Sequence, residues 1–146
     1  IQLAPMIEEI FTDLAPLSDK RGVTLTAEGD GIMTGSDALI YRLIFNLTEN
    51  AVKYNRPGGS VRISVTQEPE KLLLRVSDTG CGIPDEYQHS IFQPFFRVDK
   101  SRSREYGGAG LGLSLVWEIA DLHGGSVWVE KSSDKGTTIA VELPAQ

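Results

Sequence analysis

Asn46-Leu47-Thr48-Glu49-Asn50-Ala51-Val52-Lys53-Tyr54 has, on a helix, two unlike faces. Asn46, Asn50 and Lys53 stand at i, i+4 and i+7, so two amides and an ammonium line one polar face. Leu39, Leu43, Leu47 and Ala51 continue an apolar row beside it, which anchors the helix in a core. Amides half withdrawn from water need hydrogen-bond partners. An amide oxygen can ligate Mg²⁺, and a lysine can meet phosphate as a point charge. A helix carrying ordinary surface amides is the competing reading of this stretch taken alone.

Outward from this helix, Ser36 is a plausible N-cap, and Pro57, Gly58 and Gly59 break the helix after about Tyr54. Upstream, Ile7, Ile10, Phe11, Leu14 and Leu17 recur at helical spacing until Gly22, with Pro16 expected to kink or shorten that helix. Val23, Leu25 and Ala27 alternate as a strand, and Glu28 to Gly35 is turn-rich. Downstream, Val61, Ile63 and Val65 alternate, then Leu72, Leu74 and Val76, joined by a hairpin-like link from Glu68 to Lys71. After Asp78 periodicity fades until about Gly112, apart from a short helix expected around Asp85 to Phe92. Leu111, Leu115, Ile119 and Leu122 then restore helical spacing, with Gly124 and Gly125 as the stop. Val127 to Glu130 and Thr137 to Leu143 read as closing strands around a polar turn from Ser132 to Gly136.

The 146 residues suit about one domain, and 40% hydrophobic with 23% charged residues is the composition of a soluble globular protein. No apolar run approaches the ~20 residues of a membrane span. The single cysteine, Cys81, excludes an internal disulfide; between two glycines it reads as a small space-filler. A formal net charge of −6 argues against a nucleic-acid surface and makes any local basic cluster more informative.

Two glycine clusters follow. Asp78-Thr79-Gly80-Cys81-Gly82-Ile83 leaves a strand directly, which places a carboxylate at the strand end and glycines where the backbone turns tightly. A buried carboxylate there can accept from an exocyclic amine such as adenine N6, while an ordinary Asp-Gly turn is the bland reading. Gly107-Gly108-Ala109-Gly110-Leu111-Gly112 opens the last helix and offers unpaired N–H groups to an anion. Arg97, Lys100, Arg102 and Arg104 crowd the stretch before it, fit to help hold a polyphosphate. The P-loop and Rossmann fingerprints and the protein-kinase H-R-D and D-F-G elements are absent.

In this order, the clusters resemble the catalytic ATP-binding domain of sensor histidine kinases, within the gyrase, heat-shock chaperone, histidine kinase and mismatch-repair ATPase superfamily. Asn46 to Tyr54 resembles the N box, Asp78 to Ile83 the first glycine box, Phe92 to Arg97 the phenylalanine box and Gly108 to Gly112 the second glycine box. Gly136-Thr137 resembles the closing Gly-Thr motif. The resemblance covers nearly the whole chain. It implies an α+β Bergerat-type fold over residues 1–146, a two-layer α/β sandwich with a mixed sheet of about five strands and three helices on one face. ATP would lie beneath a lid from about Pro84 to Ala109.

The resemblance also assigns roles. Asp78 would meet adenine N6, supported by Thr137, partly through water. Asn50 and Asn46 would serve Mg²⁺ and phosphates, Lys53 and Arg97 the phosphates, and Tyr54, Gly80, Gly82, Ile83, Gly108, Gly110, Leu111 and Gly112 the nucleotide pocket; Asn46, Asn50, Lys53 and Arg97 form the catalytic set. ATP-hydrolysing members of the superfamily carry a glutamate base four residues before the Mg²⁺ asparagine. Here Asn46 stands in its place, and an amide cannot accept the proton. Glu49, next to Asn50, points elsewhere on the helix. A superfamily ATPase and a degenerate nucleotide-binding interaction module are the alternative readings.

Neither His89 nor His123 is followed by an acidic residue, so each is expected at the surface or in a cap rather than as a phosphoacceptor. The acceptor histidine would therefore lie on a separate dimerisation domain, with a response regulator downstream. On this resemblance the chain is a monomeric, cytoplasmic fragment of a homodimeric, membrane-anchored sensor that binds no nucleic acid. Trp117 and Trp128 are expected in the core or an interface.

Overall fold

The computed structural model describes residues 1–88, 90–93 and 112–145. Helix α1 (Leu3–Arg21) buries Leu3, Ile7, Ile10, Leu14 and Ser18 along one stripe. It runs five residues beyond Pro16, contrary to an early stop. Pro16 lies on the exposed side, as does Thr12, whose carbonyl the proline leaves without an N–H donor but open to water. Leu14 and Ser18 meanwhile hold both halves of the helix to the core. The end is a Schellman motif: Gly22 takes φ +68°, its N–H reaches the Asp19 carbonyl at 3.2 Å, and the Val23 N–H reaches that of Ser18 at 2.9 Å.

Strand β1 (Thr24–Gly29) continues past Ala27 into the stretch read as a turn, because Glu28 and Gly29 pair with Ser64 and Val65. Helix α2 (Asp37–Lys53) begins at Ser36, whose Oγ accepts from the Leu39 N–H at 3.3 Å. Its core face is Ile40, Leu43, Ile44, Leu47, Thr48, Ala51 and Val52. Buried Thr48 satisfies its hydroxyl by donating to the Ile44 carbonyl at 2.7 Å. Strands β2 (Ser60–Gln67) and β3 (Lys71–Asp78) form an antiparallel hairpin. The helix expected around 85–92 is instead two separate 3-10 turns, Asp85–Tyr87 and Ser90–Phe92. Helix α3 (Gly112–Leu122) and strands β4 (Ser126–Ser133) and β5 (Gly136–Pro144) complete the chain.

The sheet order is β1-β2-β3-β5-β4, with β1 parallel to β2 and every other pair antiparallel, so it is the expected mixed five-stranded sheet. Register puts Ile63 opposite Val76, Leu74 opposite Val141 and Val127 opposite Val141, a continuous apolar face. These side chains share one core with the buried stripes of all three helices. Arg62, Ser64, Arg75 and Ser77 alternate onto the other face, where Arg75 meets Glu130 at 2.9 Å.

Helix α3 corrects the apolar stripe read from the sequence. Its buried residues are Ser114, Val116, Ile119 and Ala120, while Leu122 is 73% exposed. Small Ser114 and Ala120 let the helix pack closely, and a search for large apolar residues passes over them. Trp117 (49% exposed) and Trp128 (37%) are likewise outside the core.

Candidate functional site

The polar face of α2 lies against the start of α3. Asn46 Nδ2 donates to the Gly112 carbonyl at 3.5 Å, and Asn50 Nδ2 lies 3.8 Å from where a Gly112 side chain would begin. Asn46, Asn50 and Lys53 are half-buried, so their amides and ammonium border the first turn of α3 without leaving water entirely. The N–H groups of such a turn have no partner within the helix and carry the positive end of its dipole. Lys53 Nζ stands 3.7 Å from Glu49 Oε1, one turn back. Glu49 is thus engaged along the helix surface with Lys53, away from the Asn46–Gly112 contact. Tyr54 ends the helix, its N–H on the Asn50 carbonyl at 3.0 Å and its side chain 44% exposed.

At the other end of the site, Asp78 closes β3. Its Oδ1 accepts the Gly80 N–H at 2.8 Å and the Thr137 N–H at 3.3 Å. Desolvation pushes the carboxyl above the usual aspartate range, and the two N–H bonds oppose that rise without cancelling it. The glycines here are dictated by space. A side chain at Gly80 would meet the Tyr54 carbonyl oxygen at 2.5 Å, and one at Gly82, where φ is +81°, would meet the Ser133 carbonyl oxygen at 2.0 Å. The Ile83 N–H is held by Ser132 Oγ at 2.7 Å, and the same hydroxyl shares a 2.9 Å bond with Thr137 Oγ1. Strand register brings Thr137 opposite Asp78. An open concavity of about 410 Å³ lies at these strand ends, lined by Ser77 and Thr138 of the open face as well as by Asp78, Thr137, Ser132, Lys131 and Lys135. A second, of about 280 Å³, follows the outer side of α2 from Ala38 to Asn46.

Cys81 is exposed, so it fills no space in the core. His123 is a cap: Ser36 N–H donates to its Nε2 at 3.2 Å, and its Nδ1 donates to the Ile119 carbonyl at 2.8 Å. Arg97, Gly108, Gly110 and Leu111, with the cations Lys100, Arg102 and Arg104 and with His89, lie outside the described residues. So does most of the expected lid.

Sequence reasoning missed three contributors. Ser132 reads as one more polar turn residue, yet it fixes Ile83 and Thr137. Asn55 ties the end of α2 to β2, donating to the Ser60 carbonyl at 2.9 Å and accepting from Thr79 Oγ1 at 3.0 Å. Arg56, beside a Pro-Gly-Gly breaker, donates to the carbonyls of Gly80 and Asp134.

The donor set bears on whether Mg²⁺ suits the site. Among the described residues no group of three or more His, Cys, Asp or Glu side chains could hold a metal ion. The two amides of α2 fit a cation that keeps several waters and takes only one or two protein oxygens beside substrate phosphates.

Residues 35–146 match the family described as histidine kinase-, DNA gyrase B-, and HSP90-like ATPase, and the chain belongs to that family. Within it the chain is similar to sensor histidine kinases. It is 34% identical over 145 residues to the sensor histidine kinase RppB of Synechocystis sp., covering 97% of this chain and 32% of the relative. It is 43% identical over 107 residues to the sensor histidine kinase WalK of Bacillus subtilis, covering 72% of this chain and 18% of that protein. The chain therefore spans a third or less of these curated relatives. Among solved structures, the mycobacterial sensor histidine kinase MprB superposes with a TM-score of 0.82 at 28% identity, over 100% of this chain and 97% of that one. The nucleotide-free catalytic domain of histidine kinase ThkA gives a TM-score of 0.84 at 25% identity, over 99% and 95%. The chain is thus a histidine kinase-type ATPase domain.

Proposed function

We propose that residues 1–146 form one catalytic domain that binds Mg-ATP and delivers its γ-phosphoryl group to a histidine on a separate dimerisation domain. The parent would be a two-component sensor kinase. The observation that carries this reading is the Asp78 carboxylate, held through Oδ1 by two backbone N–H groups beside a glycine loop. So oriented, it directs its second oxygen at an exocyclic amine such as adenine N6. The polar face of α2 supports phosphate binding: Asn46 and Asn50 lie beside the start of α3, with Lys53 one turn further.

Mg²⁺, held by Asn50 with Asn46 beside it, would neutralise charge on the phosphates as the phosphoryl group transfers. Lys53 contributes a point charge to the same phosphates. Asn46 offers a donor and an acceptor but no base, so this position cannot take a proton from water. Arg97, Gly108, Gly110 and Leu111 complete the proposed phosphate site, and Tyr54, Gly80, Gly82, Ile83, Gly112 and Thr137 its nucleotide walls. In the parent, a response regulator would receive the phosphoryl group, two copies would associate through the dimerisation domain, and a membrane anchor would place this domain in the cytoplasm. Within the described residues no helix is long and apolar enough to cross a membrane.

Phosphate release and phosphotransfer, measured on the same preparation, test the proposal. The chain alone is expected to bind Mg-ATP yet release phosphate barely above background. Transfer should begin when a histidine-bearing dimerisation domain is supplied, and stop when that histidine is replaced by alanine. Robust release by the chain alone would instead make it an ATPase.

A further inference from the structure

We propose that Arg56 is a positioning residue for adenine recognition, its guanidinium tying together the two backbone segments whose N–H groups orient the Asp78 carboxylate. The inference rests on the reading of Asp78 as the group that meets the adenine amine.

Two N–H groups converge on Asp78 Oδ1, and they come from different parts of the chain. Gly80 belongs to the loop leaving β3, and Thr137 to the second residue of β5. On the Asp78 side the shared oxygen joins them, with Ser132 Oγ linking Ile83 to Thr137 nearby. Arg56 does so from the opposite side: its Nη2 donates to the Gly80 carbonyl at 3.4 Å and to the carbonyl of Asp134, in the turn that leads into Thr137. One guanidinium nitrogen thus binds the carbonyl of Gly80 itself and that of Asp134, upstream of Thr137 in the β4–β5 turn. Both bonds come from Nη2, whose two N–H bonds are fixed in the guanidinium plane, whereas a lysine ammonium rotates freely on a shorter stem.

Arg56 is itself fixed. Its N–H donates to Asn55 Oδ1 at 2.8 Å, and its carbonyl accepts the Gly59 N–H at 2.9 Å. Asn55 is in turn bound to Ser60, the first residue of β2, and to Thr79, which follows the end of β3. The close approach of Gly80 to the Tyr54 carbonyl leaves the loop little room on the α2 side. With Arg56 removed, the loop and the β4–β5 turn keep the Ser132 link at Ile83 and Thr137 but lose the tether at Gly80 and Asp134, the one nearest the Gly80 N–H. The two N–H groups then no longer converge on one oxygen, and the direction of the other drifts.

The prediction is selective. Adenine affinity should fall, because its N6 amine depends on that direction. Binding through the phosphates, on α2 and α3, should not. Calorimetric titration of the 146-residue chain with Mg-ATP and with the Mg salt of inosine triphosphate, which has a carbonyl in place of the N6 amine, reads the difference. For R56Q, ATP should weaken about ten-fold, the scale of one charge-assisted hydrogen bond, with inosine triphosphate changed less than about two-fold. R56K keeps the charge but not the reach and fixed in-plane donors of Nη2, so it should follow R56Q.

Carbon-13 NMR titration of the Asp78 carboxyl supplies an independent signature. Its midpoint should rise in both variants as the N–H bonds loosen. Full recovery of ATP affinity in R56K, an equal loss of both nucleotides, or an unmoved carboxyl midpoint overturns the proposal. If R56Q does not fold, the same readings on R56K decide. A wild-type chain that fails to distinguish the two nucleotides refutes the Asp78 reading and this inference with it. Discrimination lost in D78N but intact in both Arg56 variants refutes this inference alone.

Discussion

Replacing Asp78 by asparagine should exchange the nucleotide preference rather than merely blunt it. Oδ1 of Asp78 faces two donors, the N–H groups of Gly80 at 2.8 Å and Thr137 at 3.3 Å. An asparagine at this position must keep its carbonyl oxygen on that side, since an NH₂ there would confront both donors and leave two backbone N–H groups without a partner. The amide nitrogen is thereby forced to the position of Oδ2, where it presents donors to the base. Against adenine, donor meets donor and a hydrogen bond to a charged group is lost, about 1.5–3 kcal/mol, or roughly 10- to 150-fold in affinity. Against a base with a carbonyl at position 6, a neutral hydrogen bond is gained, about 0.5–1.5 kcal/mol, or roughly 2- to 10-fold. The ATP-to-GTP preference should therefore shift by at least about 20-fold. Calorimetry with Mg-ATP and Mg-GTP, accompanied by a thermal melt to establish folding, measures it. A folded D78N chain with ATP affinity within about two-fold of wild type would falsify the assignment, as would equal losses for both nucleotides.

Asn50→Asp preserves size but changes the charge offered to the metal and phosphates. Phosphotransfer to a supplied dimerisation domain should drop about ten-fold or more, read as single-turnover rates; an undiminished rate removes Asn50 from the site. Leu47, 1% exposed beneath the polar face of α2, should cost about 2–5 kcal/mol on truncation to alanine, measured by urea unfolding. Stability should also depend on the protonation of Asp78. Its folded pKa lies above the ordinary 3.8, so the folded state keeps this proton where the unfolded state has lost it. The resulting contribution is present below 3.8 and is lost as pH rises through the folded value. Urea midpoints across that window should fall more steeply for wild type than for D78N, and parallel profiles would exclude the effect.

The sheet and the first two helices were legible because their signals are local. Alternation marks β2 and β3, Ser36 caps α2 in sequence and in space, and Gly22 ends α1 by the one conformation that closes a Schellman motif. Helix α3 was misread where packing depends on smallness: Ser114 and Ala120 are buried because little projects from them, while the larger Leu122 is left outside. The same division runs through the site. Asp78, Asn46 and Asn50 carry chemistry in their side chains and can be found by type and spacing. Arg56 and Ser132 act on backbone groups of loops distant in sequence, so no spacing in their own neighbourhood announces them; Asn55 bonds nearby Ser60, but its second partner is the distant Thr79. Thr137 lies between these cases. Its Gly-Thr motif is visible, but its backbone N–H reaches a carboxylate 59 residues away only because β5 pairs with β3 in the register that sets Thr137 opposite Asp78. The apolar pairs Val76–Ile139, Leu74–Val141 and Leu72–Leu143 fix that register along the same two strands. A slip of β5 by one residue would turn its Ile139, Val141 and Leu143 to the open face and set Thr138 or Gly136 beside Asp78 instead. The burial of three apolar pairs up to six residues from Asp78 therefore aims the carboxylate, and core truncations there should weaken nucleotide selectivity before they abolish folding.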